Sequence, residues 1–248
     1  MNLSAVVLTK NEEKGIGDCL AKLKFCDEII VIDDFSTDKT ASIAKKFAAK
    51  VVKRRLQENF AKQRNFGLSK AHGSWVLFID ADEMVTEKLA LEILESIRKT
   101  SFDAFYIKRR DIFLGKKLMF GEGGKTRLLR LARKNKGLWK RQVHEKWEVE
   151  GKIGELEGEL LHYSCDNLRD FLSKINLWSS MHARANFIEG KKSGLVKIVF
   201  YPVAKFCQNY FLRLGLLDGL HGFVHAILMS LHSFLAWSKL WFYQKKFN

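Results

Sequence analysis

Residues 74–83 read Ser74-Trp75-Val76-Leu77-Phe78-Ile79-Asp80-Ala81-Asp82-Glu83, with five apolar residues followed by three carboxylates. An apolar run of this length is typical of a strand that is buried on both faces of a sheet. Similar runs occur at Leu3–Thr9, Glu28–Asp33 and, more briefly, Val51-Val52. Helical patterns occupy residues 15–23, 40–48 and 60–71 between these runs, and 86–99 after them. This alternation predicts an α/β fold in which a parallel sheet is covered by helices on both faces.

Polar residues follow the predicted strands at the end where a parallel sheet binds its ligands. They are Thr9-Lys10-Asn11-Glu12, Asp33-Asp34, and the pair Asp80 and Asp82. Two carboxylates at positions i and i+2 just past a buried strand suit Mg²⁺ or Mn²⁺ shared with substrate phosphates. In isolation such a pair is more often an acidic turn that caps the next helix. The two other acidic strand ends favour the metal site here.

Glycine-rich phosphate-binding motifs are absent from the sequence. No G-x-G-x-x-G follows the first strand and no G-x-x-x-x-G-K-[ST] occurs, which disfavours a dinucleotide-binding Rossmann domain and a P-loop NTPase. The stretch Gly121-Glu122-Gly123-Gly124-Lys125 is only glycine-rich and predicts a mobile loop. Any phosphate binding therefore depends on a metal ion and on cationic side chains.

The overall charge is strongly positive, since 43 Lys and Arg stand against 28 Asp and Glu for a net charge of +15. Such a balance implies an anionic partner, which is a nucleic acid, an anionic membrane surface or a phosphorylated substrate. Four cysteines without a C-x-x-C pair suggest neither a zinc site nor a disulfide framework and fit a reducing cytoplasm. The N-terminal apolar run has no basic residues before it and predicts a strand rather than a signal peptide.

Residues 191–248 combine positive charge with an apolar composition. They hold seven Lys and Arg213 against Asp218 as their single acidic residue, and they contain the only proline of the chain, Pro202. This change in composition predicts a boundary between a catalytic domain at residues 1–190 and a basic, amphipathic helical segment at residues 191–248. The segment is expected to associate with an anionic membrane surface.

The uncharged stretch 219–238 is long enough for a membrane span on length alone. On a helix, however, the polar residues in and beside it fall on one arc of an otherwise apolar surface: Asp218, His221, His225, His232 and Lys239. Such a helix lies on a membrane, or packs on the chain's own core or a dimer partner, more readily than it spans a bilayer. The flanking lysines, Trp237 and Trp241 favour the membrane surface. All three alternatives stay open at this level.

Four motifs follow one another in the first 100 residues: Val6-Val7-Leu8-Thr9-Lys10-Asn11-Glu12-Glu13, Ile30-Val31-Ile32-Asp33-Asp34-Phe35-Ser36-Thr37-Asp38-Lys39-Thr40, Lys62-Gln63-Arg64-Asn65 and Phe78-Ile79-Asp80-Ala81-Asp82-Glu83. Their order and spacing resemble family 2 glycosyltransferases of the GT-A fold. Arg130-Leu131-Ala132-Arg133 and Val143-His144-Glu145 are similar to the later signature of a branch that includes lipopolysaccharide-core β-glucosyltransferases. Residues 210–222 are similar to the C-terminal membrane-associated segment of that branch.

The resemblance implies roles for the residues at the strand ends. Those that would line the nucleotide base and ribose pocket are Thr9, Asn11, Glu12 and Asp33, with Asp34 beside them. Arg64 and Asn65 would reach the donor from their helix, and Asp80 would hold the donor ribose or sugar. Asp82 would hold the metal ion that bridges the diphosphate. The alternatives are helix capping for the carboxylates and a solvated helix face for Arg64.

An inverting transfer also needs a base, because the acceptor hydroxyl loses its proton as it attacks the face opposite the leaving group. Glu145 is the candidate base. His144 would position Glu145 or approach the phosphates, and Arg130 would bind the acceptor or the diphosphate. The alternatives are an exposed ion pair for Glu145 and a structural hydrogen bond for His144. His162 either completes the metal shell or is a hydrogen-bonded core histidine.

We therefore expect an inverting glycosyltransferase that depends on Mg²⁺ or Mn²⁺. It would move a hexose, with UDP-glucose as the expected donor, onto a lipopolysaccharide-core or other lipid-linked acceptor at the cytoplasmic face of the inner membrane, as a peripheral protein. The first alternative is a polyprenyl-phosphate glycosyltransferase, which shares the front motifs but uses a lipid phosphate as acceptor. The second is a non-catalytic basic protein that binds nucleic acid or anionic lipid. The acidic strand ends and the lack of an RNA-type aromatic motif argue against a nucleic-acid partner.

Overall fold

A computed structural model of the chain describes residues 2–57, 59–98, 101–141, 145–165 and 167–247. Its elements, in chain order, are β1 (Leu3–Thr9), α1 (Ile16–Ala21), β2 (Glu28–Asp33), α2 (Thr40–Lys46), β3 (Lys50–Lys53), α3 (Phe60–Lys70), β4 (Trp75–Asp80), β5 (Glu83–Val85), α4 (Glu87–Arg98), β6 (Ala104–Phe113), β7 (Lys116–Lys117), α5 (Gly121–Gly124), β8 (Thr126–Arg133), β9 (Gly137–Lys140), β10 (Lys146–Val149), β11 (Ile153–Cys165), α6 (Leu168–Ile188), α7 (Leu195–Cys207) and α8 (Gly219–Phe247). A π-helical turn (Gln208–Leu212) and a 3₁₀ turn (Gly215–Asp218) join α7 to α8.

The main sheet follows the order β3-β2-β1-β4-β8-β6-β11-β5, with β7 paired to β6. Parallel pairing joins its first four strands, and Val6 on β1 lies between Ile30 on β2 and Phe78 on β4. β8 pairs antiparallel with β4, and β5 pairs antiparallel with β11. The predicted parallel sheet is therefore confirmed for β1 to β4, and the later strands make the complete sheet mixed.

The four predicted helices of the first half are confirmed, with bounds that differ by at most two residues at either end. Successive residues of a strand point to opposite faces of a sheet. Ala5 and Val7 accordingly pack in one core with residues of α1, α2 and α4. Val6 packs in a second core with residues of α3 and of the β9–β10 hairpin. The expected cover of helices on both faces is thus present, with the hairpin added to one of them.

The chain divides into two compact units, one formed by Met1–Arg109 and Arg127–His162 and the other by Arg110–Thr126 and Tyr163–Asn248. The first unit holds β1 to β4 and the strand ends discussed above. The second holds α5 to α8. The boundary predicted near residue 190 lies inside the second unit, between α6 and α7. A functional division at that point stays a prediction.

The polar residues of α8 face the interior of the second unit. Lys239 Nζ donates hydrogen bonds to Asn176 O and to Ser179 Oγ on α6, at 2.7 and 2.8 Å. The His232 and His182 rings stack at 5.7 Å. Four of these residues recur at every seventh position, and we call them the polar arc: Asp218, His225, His232 and Lys239. The predicted one-sided arc is confirmed for these four residues, which pack against the chain itself, while the position assigned to His221 stays a prediction.

The glycine-rich stretch 121–125 is not the loop predicted from its composition, because residues 121–124 form the short helix α5. Gly121, Gly123 and Gly124 are buried. A Cβ atom on Gly124 would lie 2.2 Å from the carbonyl carbon of Met119, so only glycine fits at this position. The glycines therefore allow close packing of the backbone, and the mobile-loop prediction is wrong.

Candidate active site

Hydrogen bonds tie together the loops that follow β1 and β2. The Asn11 side-chain oxygen accepts a bond from Thr37 N at 2.8 Å, and Glu12 N donates to Thr40 Oγ1 at 2.8 Å. Asn11 has a positive φ of 52°, which asparagine tolerates better than most residues. These bonds hold the ends of two neighbouring parallel strands in a fixed arrangement.

The carboxylates of this region are also held in place. Asp33 is buried and accepts a hydrogen bond from Ser36 N at 3.2 Å, while Asp34 pairs with Lys10 Nζ at 2.8 Å. Thr9 Oγ1 is buried and has no hydrogen-bond partner among the described residues. A buried hydroxyl without a partner is costly unless a ligand or water completes it. The predicted nucleotide roles of Thr9, Asn11, Glu12, Asp33 and Asp34 remain predictions.

Asp80 lies between two buried arginines. Arg64 Nη2 donates to Asp80 Oδ1 at 2.8 Å, and Arg130 Nη2 donates to Asp80 Oδ2 at 2.6 Å. Burial alone favours the neutral carboxyl, but the guanidiniums of Arg130 and Arg64 hold the pKa of Asp80 well below its ordinary value. Both carboxylate oxygens therefore bind arginine. This places Arg64, Asp80 and Arg130 in one network, and the proposed contact of Asp80 with the donor sugar stays a prediction.

Glu83 also belongs to this network, although no role was predicted for it from the sequence. It is fully buried, its Oε2 accepts a bond from Asp80 N at 2.9 Å, and its Oε1 lies 3.3 Å from Arg130 Nη2. Burial raises the pKa of Glu83 more than the neighbouring Arg130 lowers it. Glu83 closes the turn after β4 and so fixes the position of Asp80. Glu83 lies three residues after Asp80, a spacing at which a side chain can accept a bond from the backbone across a turn. This spacing could have indicated its role.

We expect Asp80→Asn to reduce the free energy of unfolding by about 3 kcal/mol, because it leaves two buried guanidiniums without their shared counter-charge. The figure is at the low end for buried pairs, since the Asp80 side chain is 31% exposed and water replaces part of the interaction. In the wild type this stabilisation is present at neutral pH and is lost as the pH falls below about 4 toward the low pKa of Asp80.

Urea unfolding of Asp80→Asn and of a matched control, Glu157→Gln, tests this. Glu157 is paired with Lys108 at the surface, where water screens the pair, so the control is expected to unfold at nearly the same urea concentration as the wild type. Equal midpoints for Asp80→Asn and the wild type would show that Arg64 and Arg130 do not depend on Asp80.

Asp82 is the strand-end carboxylate that is suited to a metal ion. Its Oδ2 lies 3.3 Å from His162 Nε2, and both side chains are only partly buried. Two neighbouring ligands of an octahedral ion, each about 2.1 Å from it, lie about 3.0 Å apart, so this pair of donor atoms fits adjacent positions on one ion. Of the two alternatives for His162, the metal shell is thus compatible with the geometry. Within the described residues, no group of three His, Cys, Asp or Glu side chains is placed to hold a metal ion. Substrate phosphate and water would therefore supply the other ligands.

Glu145 joins the network from a different part of the chain. Its Oε1 accepts a hydrogen bond from Arg64 Nε at 2.8 Å, and its Oε2 has no partner among the residues that the structure describes. The side chain lines a cavity of about 490 Å³ together with Arg130, Trp139 and Trp147. Arg64 therefore bonds to both Glu145 and Asp80. The second residue proposed for catalysis, His144, lies outside the described residues.

The β9–β10 hairpin supports this side of the site. Trp139 and Trp147 lie opposite each other across the hairpin, with stacked rings 5.2 Å apart, and the Arg64 guanidinium lies 4.7 Å from the Trp139 ring. Asn65 donates to Trp139 O at 2.9 Å and accepts from Trp139 N at 2.9 Å. The Asn65 amide thus has a structural role, and its contact with the donor stays a prediction. The two tryptophans were missed, although an aromatic pair in facing positions of a short hairpin is a recognisable pattern.

Several solved structures align with this chain over most of its length. A mannosyltransferase of Pyrobaculum calidifontis, described in complex with GDP-Man and Mn²⁺, aligns with a TM-score of 0.54 at 14% identity, over 96% of this chain and 86% of that chain. Residues 1–349 of Staphylococcus aureus TarS align with a TM-score of 0.51 at 16% identity, over 99% and 92% of the two chains. The chain therefore has the GT-A fold expected from its motifs.

The sequence comparisons identify the family. Residues 4–147 match the glycosyl transferase family 2 model. The lipopolysaccharide core biosynthesis glycosyltransferase LpsC of Rhizobium meliloti is 30% identical over 96% of this chain and 92% of its own length. An uncharacterized glycosyltransferase of Rickettsia typhi is also 30% identical, over 96% of this chain and 86% of its own. The chain belongs to glycosyl transferase family 2 and is a glycosyltransferase.

Proposed function

We propose that this glycosyltransferase inverts the anomeric centre of a nucleotide-activated hexose, with UDP-glucose as donor, and acts on a lipopolysaccharide-core or other lipid-linked acceptor. One observation carries the proposal: Arg64 donates to Asp80 in the acidic turn and to Glu145 across the site, at 2.8 Å each. The candidate base and the candidate metal-binding turn are therefore parts of one network. The similarity to LpsC, whose name places it in lipopolysaccharide core biosynthesis, supports the acceptor class.

In the proposed reaction the acceptor hydroxyl gives its proton to Glu145 as its oxygen bonds to the anomeric carbon. The bond from that carbon to the diphosphate oxygen breaks, and the nucleoside diphosphate leaves with the bonding electron pair. Attack from the face opposite the leaving group inverts the anomeric configuration. Glu145 is oriented for this by Arg64, and its second carboxylate oxygen is available to take the proton.

Asp82 and His162 are the residues that would hold Mg²⁺ or Mn²⁺. When bound, the ion supplies positive charge that offsets the charge of the departing diphosphate. Mn²⁺ and a nucleotide sugar are named for the Pyrobaculum calidifontis mannosyltransferase, and UDP is named for a complex of TarS. These names agree with the proposed donor class and ion.

A donor and acceptor screen tests the proposal. The full-length protein is incubated with each UDP- and GDP-hexose and Mn²⁺, with either lipopolysaccharide-core oligosaccharide or polyprenyl phosphate. We expect nucleotide release with UDP-glucose that depends on the core acceptor, and a product of inverted anomeric configuration. A product extracted with polyprenyl phosphate alone would establish the alternative activity. No transfer with any pair would contradict the proposed function.

The proposed location is the cytoplasmic face of the inner membrane, because a lipid-linked acceptor is anchored there and the C-terminal segment is basic. Within the described part of the chain one helical stretch, Gly215–Lys246, is long and apolar enough to cross a membrane. A helix in the core of a soluble protein can have the same length and composition, so these two properties do not define a membrane span. We propose a peripheral attachment, in agreement with the inward-facing polar arc.

A further inference from the structure

The exposed surface of α7, of the two turns after it and of the first residues of α8 is largely apolar. Its most exposed members are Leu212 (79%), Leu195 (77%), Leu220 (73%), Val196 (67%), Phe200 (63%) and Leu217 (57%). We call the exposed apolar side chains of residues 195–220 the α7 surface. A water-facing helix normally shows its polar side to solvent and its apolar side to the core. Here the outward side is the apolar one, and contiguous apolar surfaces of this kind mark interaction sites.

The polar arc, with Asp218 in the 3₁₀ turn and its other members on α8, lies on the opposite, inward side. Asp218 is almost fully buried and accepts hydrogen bonds from Met119 N at 3.1 Å and Phe120 N at 2.9 Å. His225 is buried against the Phe113 ring at 5.3 Å. Asp218 and His225 therefore face the inside of the protein. That arrangement leaves the outside of the unit free to contact an apolar medium.

The charged and aromatic residues beside the α7 surface are of the kind found where a membrane meets water. Lys197 Nζ lies 5.0 Å from the centre of the Trp237 ring, and Lys245 Nζ lies 4.1 Å from that of Trp241. Asp218 is the only acidic residue after position 190, and it is buried. Every exposed charge on the described residues 191–247 is therefore basic, which complements anionic headgroups and gives the same surface of a second copy no counter-charge.

We propose that the α7 surface inserts into the acyl-chain region of one bilayer leaflet, with the Lys197–Trp237 and Lys245–Trp241 pairs at the headgroup level. This inference deepens the membrane location proposed above and rests on it. It differs from the sequence-based expectation, because α7 and its turns make the lipid contact while the polar arc of α8 faces the protein. Insertion is driven by apolar burial, so salt does not abolish it.

Vesicle binding by the full-length protein tests the insertion. A double variant, Phe200→Gln with Leu212→Gln, is compared with a control, Leu91→Gln with Leu138→Gln, whose leucines are 70% and 58% exposed in the first unit. Cosedimentation is measured with phosphatidylcholine vesicles, with and without phosphatidylglycerol. The salt concentrations are about 0.1 and about 1 M NaCl, at which the Debye length is about 10 and about 3 Å. We expect the wild type and the control to stay bound in high salt. The double variant is expected to partition about a hundredfold less, since each apolar side chain contributes roughly tenfold.

A second measurement uses the exposed thiol of Cys207 at the end of α7. An environment-sensitive fluorophore attached there is expected to shift to the blue on addition of vesicles and to be quenched by lipids spin-labelled on the acyl chain. A Cys207→Ser variant gives the background from other thiols. Quenching by headgroup-labelled lipid alone, or complete release of the wild type in 1 M NaCl, a concentration that shortens the Debye length to about 3 Å, would overturn insertion.

Light scattering of the same proteins tests the other possible partner of the α7 surface, which is a second copy of the chain. A wild-type dimer that becomes a monomer in the double variant, with unchanged vesicle binding, would assign the α7 surface to self-association and overturn the proposal. Failure of the proposed function has a different signature, because it appears as missing sugar transfer while vesicle binding is intact.

Discussion

Loss of sugar transfer by about a thousandfold or more is the result we expect for Asp82→Ala, with the fold intact. Asp82 is the carboxylate proposed to hold the metal ion, and its Oδ2 lies 3.3 Å from His162 Nε2. Several kcal/mol of charge stabilisation at the departing diphosphate depend on holding the ion, and each 1.36 kcal/mol corresponds to about tenfold in rate. The measurement is the initial rate of nucleotide release at saturating donor and Mn²⁺.

The same variant has a readout that does not depend on turnover. Binding of Mn²⁺ in the presence of UDP, followed by the relaxation of water protons, is expected to be lost in Asp82→Ala and weakened in His162→Ala. Asp18→Ala, an exposed carboxylate on α1, is the matched control and is expected to bind Mn²⁺ as the wild type does. Full activity in excess EDTA would contradict a metal-dependent reaction and leave Asp82 without the proposed role.

Most of the first half of the sheet was predictable because β1, β2 and β4 are buried on both faces. β1, β2 and β4 are continuous apolar runs, and the helices between them follow from their spacing. The later strands carry no such signal. β6 contains Lys108-Arg109-Arg110 and is only half-buried in its middle, so its pattern resembles a charged surface segment as much as a strand. Their antiparallel pairing therefore emerged only from the structure.

The sequence predicted which residues belong to the site, but it did not predict the ion pairs that these residues form with one another. Asp80, Arg64 and Arg130 were each assigned to the donor or acceptor. The structure shows that they bind one another over separations of 16 and 50 residues. No local pattern reports such long-range ion pairs. The polar arc shows the same limit, because helical spacing placed its residues on one side without revealing that this side faces the interior of the second unit.

Glu145→Gln is expected to lower turnover by roughly 10²- to 10⁴-fold, the range associated with loss of a general base. Glutamine has the same shape, and its amide oxygen can still accept the bond that Arg64 Nε donates to Glu145 at 2.8 Å. The network with Asp80 is therefore preserved while the group that takes the proton is lost. UDP-sugar affinity, measured by calorimetry, is expected to stay close to that of the wild type.

Glu148→Gln is the matched control for this experiment, because Glu148 lines the same cavity three residues further along and pairs with Lys140 at the surface. It removes an equal charge from the cavity without removing the proposed base, so its turnover is expected to remain within a few-fold of the wild type. If both variants lose the same activity, the cavity requires negative charge rather than a proton acceptor. If Glu145→Gln instead loses donor binding while turnover at saturation is unchanged, Glu145 is a donor ligand. The proton then goes to another group, because an attacking hydroxyl still has to lose it.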